Sequence, residues 1–251
     1  MFIMSYPLWD QLKSLKESEW VDLTHTFDTD SPHFSALEAA YIDTISTVAE
    51  DGYFVQRWSV ATQYGTHIDA PIHFVENRRY LHELDLKELV LPLIVLDYSK
   101  EVAENPDFRL TRDHLLEWEA QHGRIEPDTF VAFRSDWSHR WPNVEQFENK
   151  DAEGNPHAPG WSLDALQFLL EERGVRSVGH ETFDTDASVD VAKHGDLIGE
   201  RYVLGQDTYQ IELLTNLDRL PERGAVIYTI CPKPADAPGF PVRAFAIKPN
   251  A

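Results

Sequence analysis

The 251-residue chain has a formal net charge of −21, with 42% hydrophobic and 26% charged residues. Those values fit one sizeable globular domain over 1–251, and so acidic a surface repels nucleic acid and anionic membranes, which excludes both as partners. The lone Cys231 rules out an intrachain disulfide.

Residues 9–19 read as a short amphipathic helix, and Trp20 to Phe27 as a strand with alternating apolar positions. Tyr41 to Val48 and Tyr53 to Ala61 read as strands around a hairpin-type turn at Glu50-Asp51-Gly52. Leu89 to Leu96 is a buried strand. Thr111 caps a helix from His114 to Gln121 that stops at Gly123. Phe130 to Phe133 is another buried strand. The polar stretch Trp141 to Pro159 reads as a long surface loop. Ser162 caps a helix from Leu163 to Glu172, and a strand follows over Val175 to Gly179. Thr208 to Leu214, Ala225 to Ile230 and Val242 to Ile247 complete the sheet. Strand, helix and strand in succession point to an α/β architecture. No stretch approaches the roughly 18 apolar residues of a membrane span, and the start lacks a basic-then-apolar pattern, so a cytoplasmic protein is expected.

The segment Gln63-Tyr64-Gly65-Thr66-His67-Ile68-Asp69-Ala70-Pro71-Ile72-His73-Phe74 carries the chemistry. Imidazole nitrogen and carboxylate oxygen together are the donor mixture a divalent metal takes, and glycine and proline pin the loop that presents them. In extended chain His67 and Asp69 share a face, with backbones roughly 7 Å apart, within reach of one ion. A straight chain would put His73 roughly 13 Å beyond Asp69. Pro71 argues against a straight strand. His73 therefore either bends back to ligate or stands beside the metal as a proton carrier, and the second role is favoured. Gln210 has the parity of Glu212 and so faces the same way.

This string resembles the signature of the cyclase-like metal-dependent hydrolases, a family that includes bacterial kynurenine formamidase and isatin hydrolase. Further ordered likenesses are Trp20–Phe27 with Pro32, Asp128–Trp137, Pro159–Ser162, Gly179-His180-Glu181-Thr182 and Ile211–Pro221. The resemblance implies a single-domain swivelling β/β/α fold, with a mixed sheet and flanking helices. It also implies His67, Asp69 and Glu212 as metal ligands and His73 as proton donor and acceptor. Phe34 is implied as an aromatic that stacks on substrate. His180, clustered in sequence with Glu181, Asp184 and Asp186, is a candidate to bind substrate or a second metal, or to support the ligands from behind. Formamidases carry histidines at the positions of Gln63 and Glu200, where they help hold two zinc ions. Their replacement favours one metal per chain, with Gln63 and Glu200 as further ligands or as neighbours that orient the ligands. One imidazole with two carboxylates is an oxygen-rich set, which moves preference from zinc towards manganese. Family members are commonly homo-oligomers, so a dimer or tetramer is expected.

The implied activity is hydrolysis of a small amide, cyclic or N-formyl, or a lactone, by metal-activated water with His73 as general acid and base. Two alternatives compete with it. One is a non-haem iron oxygenase, with His67 and Asp69 joined by a distant histidine such as His180 or His194; such enzymes are usually jelly rolls with strands throughout. The other is a non-catalytic metal or small-molecule binding protein on the same scaffold.

Overall fold

In the computed structural model, which describes residues 6–250, the apolar runs assemble into one dominant sheet. The strands are β1 (Glu19–Asp22), β2 (Tyr41–Ser46), β3 (Val55–Ser59), β4 (His67–Asp69), β5 (Val90–Asp97), β6 (Arg109–Leu110), β7 (Phe130–Arg134), β8 (Gly160–Trp161), β9 (Ser177–His180), β10 (Gln210–Glu212), β11 (Ala225–Ile230), β12 (Gly239–Pro241) and β13 (Arg243–Lys248). Nine of them pair in the order β1-β13-β11-β5-β7-β9-β10-β4-β12. The central four, β5, β7, β9 and β10, are parallel, and the pairs on either side are antiparallel. Parallel neighbours need long crossovers, and helices supply them: Arg112–His122 between β5 and β7, Leu163–Gln167 between β7 and β9, Ile198–Gly205 between β9 and β10.

Alternation along the strands divides the core into two layers. Ile94, Leu96, Val131, Phe133 and Val178 pack against Leu115, Trp118, Leu166 and Val203 from the helices. Leu93, Val95, Phe130, Ala132 and Ile211 face the other way, towards Val21, Ile227 and Ala244. Each such buried side chain contributes roughly 1.5–3 kcal/mol. That apolar packing offsets the cost of the polar cluster buried on β4 and β10.

Ala225–Ile230 forms over the expected bounds, and β5 and β7 fall within a residue of them. Other elements differ. The opening strand ends at Asp22 rather than Phe27. Beyond it Thr24 makes a single bridge to Leu214, and the His25 N–H donates to Thr66 Oγ1 (2.9 Å), so the chain crosses over the site strands instead of extending the sheet. The turn of the β2–β3 hairpin contains a short helix, Val48–Asp51, capped by Thr47 and closed by Gly52 at φ 80°. The helix expected over Leu163–Glu172 changes at Phe168 to a π-helical turn, in which the Arg173 N–H reaches the Phe168 carbonyl. Ser162 takes the N-cap position as expected, but its hydroxyl donates to the Leu110 carbonyl at 2.8 Å instead of accepting from the first turn. The loop over 141–159 holds a helix, Val144–Glu148, anchored by buried Phe147. Helices also form at Ser99–Glu104, Ser188–His194 and Ile198–Gly205, of 6, 7 and 8 residues, each too short to display a helical apolar period in the sequence. Among the described residues no helix is long and apolar enough to cross a membrane. A mixed sheet with crossover helices is also not the all-strand framework expected of the oxygenase alternative.

Candidate metal centre

Strand β4 is three residues long, wholly buried, and held between β10 and β12. Its register with β10 builds the site: His67 lies opposite Glu212, Ile68 opposite Ile211, and Asp69 opposite Gln210. Directly opposed residues of an antiparallel pair project to the same face. Four polar side chains therefore converge on one face, while Ile68 and Ile211 enter the core on the other. Thr66 fastens the entry to β4, its hydroxyl donating to the Leu213 carbonyl at 2.6 Å. Gly65 takes φ 61°, which an L side chain resists. On the far side β12 sets Gly239 opposite Asp69, where a Cβ would lie 2.5 Å from both the Ile68 carbonyl oxygen and Gln63 Nε2. Glycine there leaves the space Gln63 uses.

The donor atoms meet closely. His67 Nε2 is 3.3 Å from Glu212 Oε2 and 3.6 Å from Asp69 Oδ2. His67 Nδ1 lies 2.8 Å from the Gly65 carbonyl oxygen, an acceptor that fixes the proton on Nδ1 and turns the Nε2 lone pair inward. Nε2 is buried with no hydrogen-bond partner, an expensive state that a bound cation relieves. One donor atom from each of His67, Asp69 and Glu212 lies within 4.8 Å of the others. Nitrogen, two carboxylates and an orphaned lone pair fit a divalent ion.

Charge tells the same story. Burial alone would raise the Glu212 carboxyl, but the nearness of His180 and His67 holds it down at about 2. Burial opposes a charged His67, yet Asp69 and then Glu212 lift it to about 9. Without a metal, a proton on His67 thus supplies the positive charge that the acids demand. Glu200, buried and facing the charges of Glu212 and Asp69, is pushed well above the usual carboxylate range. Burial, then Glu212 and Asp186, move Asp184 up to about 7. A carboxyl raised in the fold stabilises below its unfolded value of 3.8, and that contribution is lost as pH rises through about 7. Asp184→Asn should therefore raise the melting temperature of chelator-treated protein at pH 8 and leave it near wild type at pH 4. Circular dichroism melts at the two pH values check this.

The cavity over these groups, about 230 Å³, is lined by Gln63, His67, His73, Glu200 and Glu212, together with Phe34 and Phe74. Phe183, Asp184, Leu37 and Leu197 complete the wall. His73 reaches it through the 3-10 turn Pro71–His73, which brings Nε2 to 3.9 Å from Asp69 Oδ1 instead of the extended-chain distance. Its side chain is 27% exposed against 4% for His67. Gln63 donates from Nε2 to Asp69 Oδ1 at 3.2 Å. Glu200 groups with Asp69 and His73 in a second potential cation cluster that shares Asp69 with the first. Half-exposed Phe34 stands in the wall, where a substrate ring can reach it. His180 does not: it is buried behind the site, with Nε2 3.4 Å from Glu212 Oε1, because its place at the end of β9 puts it beside β10 rather than the cavity. His194 ends an exposed helix and is absent from the cavity wall. His114 and His157, outside the cavity, bond Thr111 and Asp107. Sequence reasoning missed Phe74, Phe183 and Leu197, whose apolar side chains give no local sign of lining a pocket.

The family described as "Putative cyclase" matches residues 21–187. The chain belongs to this cyclase family. It is 35% identical to the isatin hydrolase of Roseibium aggregatum over 84% of the chain and 81% of that protein. It is 24% identical to the kynurenine formamidase of Bacillus thuringiensis subsp. konkukian, over 94% of the chain and 100% of that protein. The solved isatin hydrolase A of Ralstonia solanacearum superposes with a TM-score of 0.89 at 31% identity, covering 99% of both chains. Cyclase-family membership together with hydrolases on either side makes this chain a hydrolase on a cyclase scaffold.

Proposed function

We propose that this chain is a metal-dependent hydrolase of amide C–N bonds that opens a small, flat, uncharged amide, cyclic in the first instance. The observation that carries the reading is the buried meeting of His67 Nε2 with the Asp69 and Glu212 carboxylates, the nitrogen having no other partner. His67, Asp69 and Glu212 would hold one divalent ion per chain, manganese in preference to zinc because oxygen outnumbers nitrogen in the set. Such an ion, when bound, lowers the pKa of a coordinated water towards neutrality and polarises a carbonyl. The chain's own residues do the rest. Phe34, Phe74 and Phe183 offer apolar faces to a planar substrate and keep bulk water from it. His73, at the cavity wall and free of hydrogen-bonded partners, takes a proton from water and returns it to the leaving nitrogen. Among the described residues no lysine or arginine lines the cavity, so a carboxylate or phosphate substrate would find no cationic side chain there to pair with.

Lactones and N-formyl amides are the next candidates, since their carbonyls are similarly small. A two-ion variant has one specific support, the Asp69–His73–Glu200 group. It would remove His73 from proton transfer. A homo-oligomer is part of the proposal: the β2–β3 hairpin exposes Tyr41, Ile45, Phe54 and Trp58, large apolar side chains that a neighbouring subunit would cover. The small-molecule substrate is then the other partner.

The test is elemental analysis of purified protein, followed by assays on isatin, N-formylkynurenine and simple lactones before and after chelation. Close to one ion per chain is expected, with isatin opening abolished by chelator and restored by Mn²⁺. Turnover indifferent to chelation would overturn the metal role. Tight binding of the panel without turnover would support the binding-protein alternative, and a requirement for O₂ the oxygenase.

A further inference from the structure

Gln210 is wholly buried opposite Asp69 and two residues before Glu212, at the floor of the site. Its Nε2 lies 3.3 Å from Asp69 Oδ2 and 3.0 Å from Glu212 Oε1, donating to both. Its Oε1 accepts from the Thr185 hydroxyl at 2.8 Å. An amide can flip end for end, and a flipped Gln210 would aim oxygen at two carboxylates. The Thr185 donor, itself buried, specifies the orientation in which nitrogen faces them. Glu212 Oε1 is thereby engaged from two sides, by Gln210 and by His180 Nε2 at 3.4 Å, while Oε2 is the oxygen turned to His67. Gln63 acts comparably on Asp69 Oδ1 from the cavity side, but its amide lies partly open to the cavity, whereas that of Gln210 is sealed.

We propose that Gln210, locked by Thr185, is a positioning residue for metal capture, bridging the Asp69 and Glu212 carboxylates with one uncharged NH₂ group. It needs no charge to do so. A lysine in its place would compete with the ion for the same oxygens, whereas an amide holds two like charges together and leaves the cation's place free. The inference rests on the metal-binding reading above.

The test uses chelator-treated full-length wild type, Gln210→Met and Thr185→Val, each titrated with Mn²⁺ by calorimetry and melted without metal. Methionine keeps the volume of glutamine and removes both donated bonds. Gln210→Met should bind Mn²⁺ about 10–100-fold more weakly, the range for losing a partner that orients a ligand. Thr185→Val, which only frees the amide to turn, should lose about three- to tenfold. Gln210→Met should also melt lower without metal, because the Asp69 and Glu212 carboxylates and the Thr185 hydroxyl lose a buried partner; the Mn²⁺ affinity of the folded protein separates the roles, since a merely structural residue would leave it unchanged. Wild-type affinity in Gln210→Met overturns the inference. Should that variant not fold, Thr185→Val decides alone, and wild-type affinity there overturns it equally. Wild-type protein that takes up no Mn²⁺ overturns the metal reading itself, a failure visible before any variant is compared.

Discussion

His73→Ala is expected to lower kcat by about 10²–10⁴-fold, the range for a positioned proton carrier, while leaving close to one metal ion per chain. The contrast with His67 motivates this. Both imidazoles lie near Asp69, but His67 is sealed in the sheet with Nδ1 committed to the Gly65 carbonyl, whereas His73 sits on a short turn at the cavity wall. Its ring meets Phe74 edge-on, with centroids 4.8 Å apart, an apolar contact that steers the ring without occupying its nitrogens. A proton carrier needs that freedom and a ligand does not. Steady-state kinetics on isatin with metal analysis of the same sample separate the roles. Full activity in the variant would refute proton transfer by His73. Loss of metal together with activity would instead assign His73 to the Asp69–His73–Glu200 cluster and favour two ions.

Why some of the site could be read from the chain and some could not follows from where each interaction is encoded. His67 and Asp69 share a face because strand period places them there, and Pro71 announces the bend that returns His73; both are local properties. Glu212 was reached through resemblance, since nothing in the spacing of residues 145 positions apart fixes the β4–β10 register that sets it opposite His67. The same non-local register raises Gln210 from a residue of suitable parity to a bridge between two carboxylates. Which of its two roles His180 takes is set in the same non-local way: β9 lies parallel beside β10, which turns the ring towards Glu212, behind the ligands, and away from the cavity. In the fold, long apolar strands such as β5 and β11 were plain. Apolar alternation continues past Asp22 and so suggests a longer opening strand, although the Thr24 hydroxyl donates to the Ala244 carbonyl on β13 and the His25 N–H to Thr66 at the entry to β4. Helix Ile198–Gly205 escaped notice, yet it delivers Glu200, and its first N–H groups are held by Asp186, with Gly199 N at 2.7 Å. An acid far along the chain caps that helix, and only the folded chain brings the two together.

Glu212→Gln should cost more than about 100-fold in Mn²⁺ affinity, beyond what an orienting partner alone is worth. The substitution preserves shape but removes the one carboxylate that lies against both His67 and His180. A neutral amide would also offer the ion a weaker donor while turning an NH₂ towards either Gln210 or His67. On the proposed reading, Mn²⁺ at a thousandfold excess over its Kd should stabilise the wild-type fold by about 4 kcal/mol, which for a chain of this size would raise the melting temperature by roughly 8–16 °C. That shift should fall to about a third or less in Glu212→Gln, since a site about 100-fold weaker is only about tenfold over its Kd at the same Mn²⁺ concentration and gains about 1.4 kcal/mol. A separate signature appears without metal. The Glu212 carboxyl is held near 2 in the fold, below the ordinary value of 4.5, so its charge stabilises above 4.5 and the benefit fades as pH falls towards 2. Wild type should accordingly exceed the variant in metal-free stability at pH 6, with the gap closing on acidification. Chelated melts across that range read the ion pair, and Mn²⁺-induced shifts at pH 7 read the ligand. An undiminished Mn²⁺ shift in the variant would mean that the third donor comes from elsewhere, and Glu200, across the same cavity, would be the next carboxylate to replace.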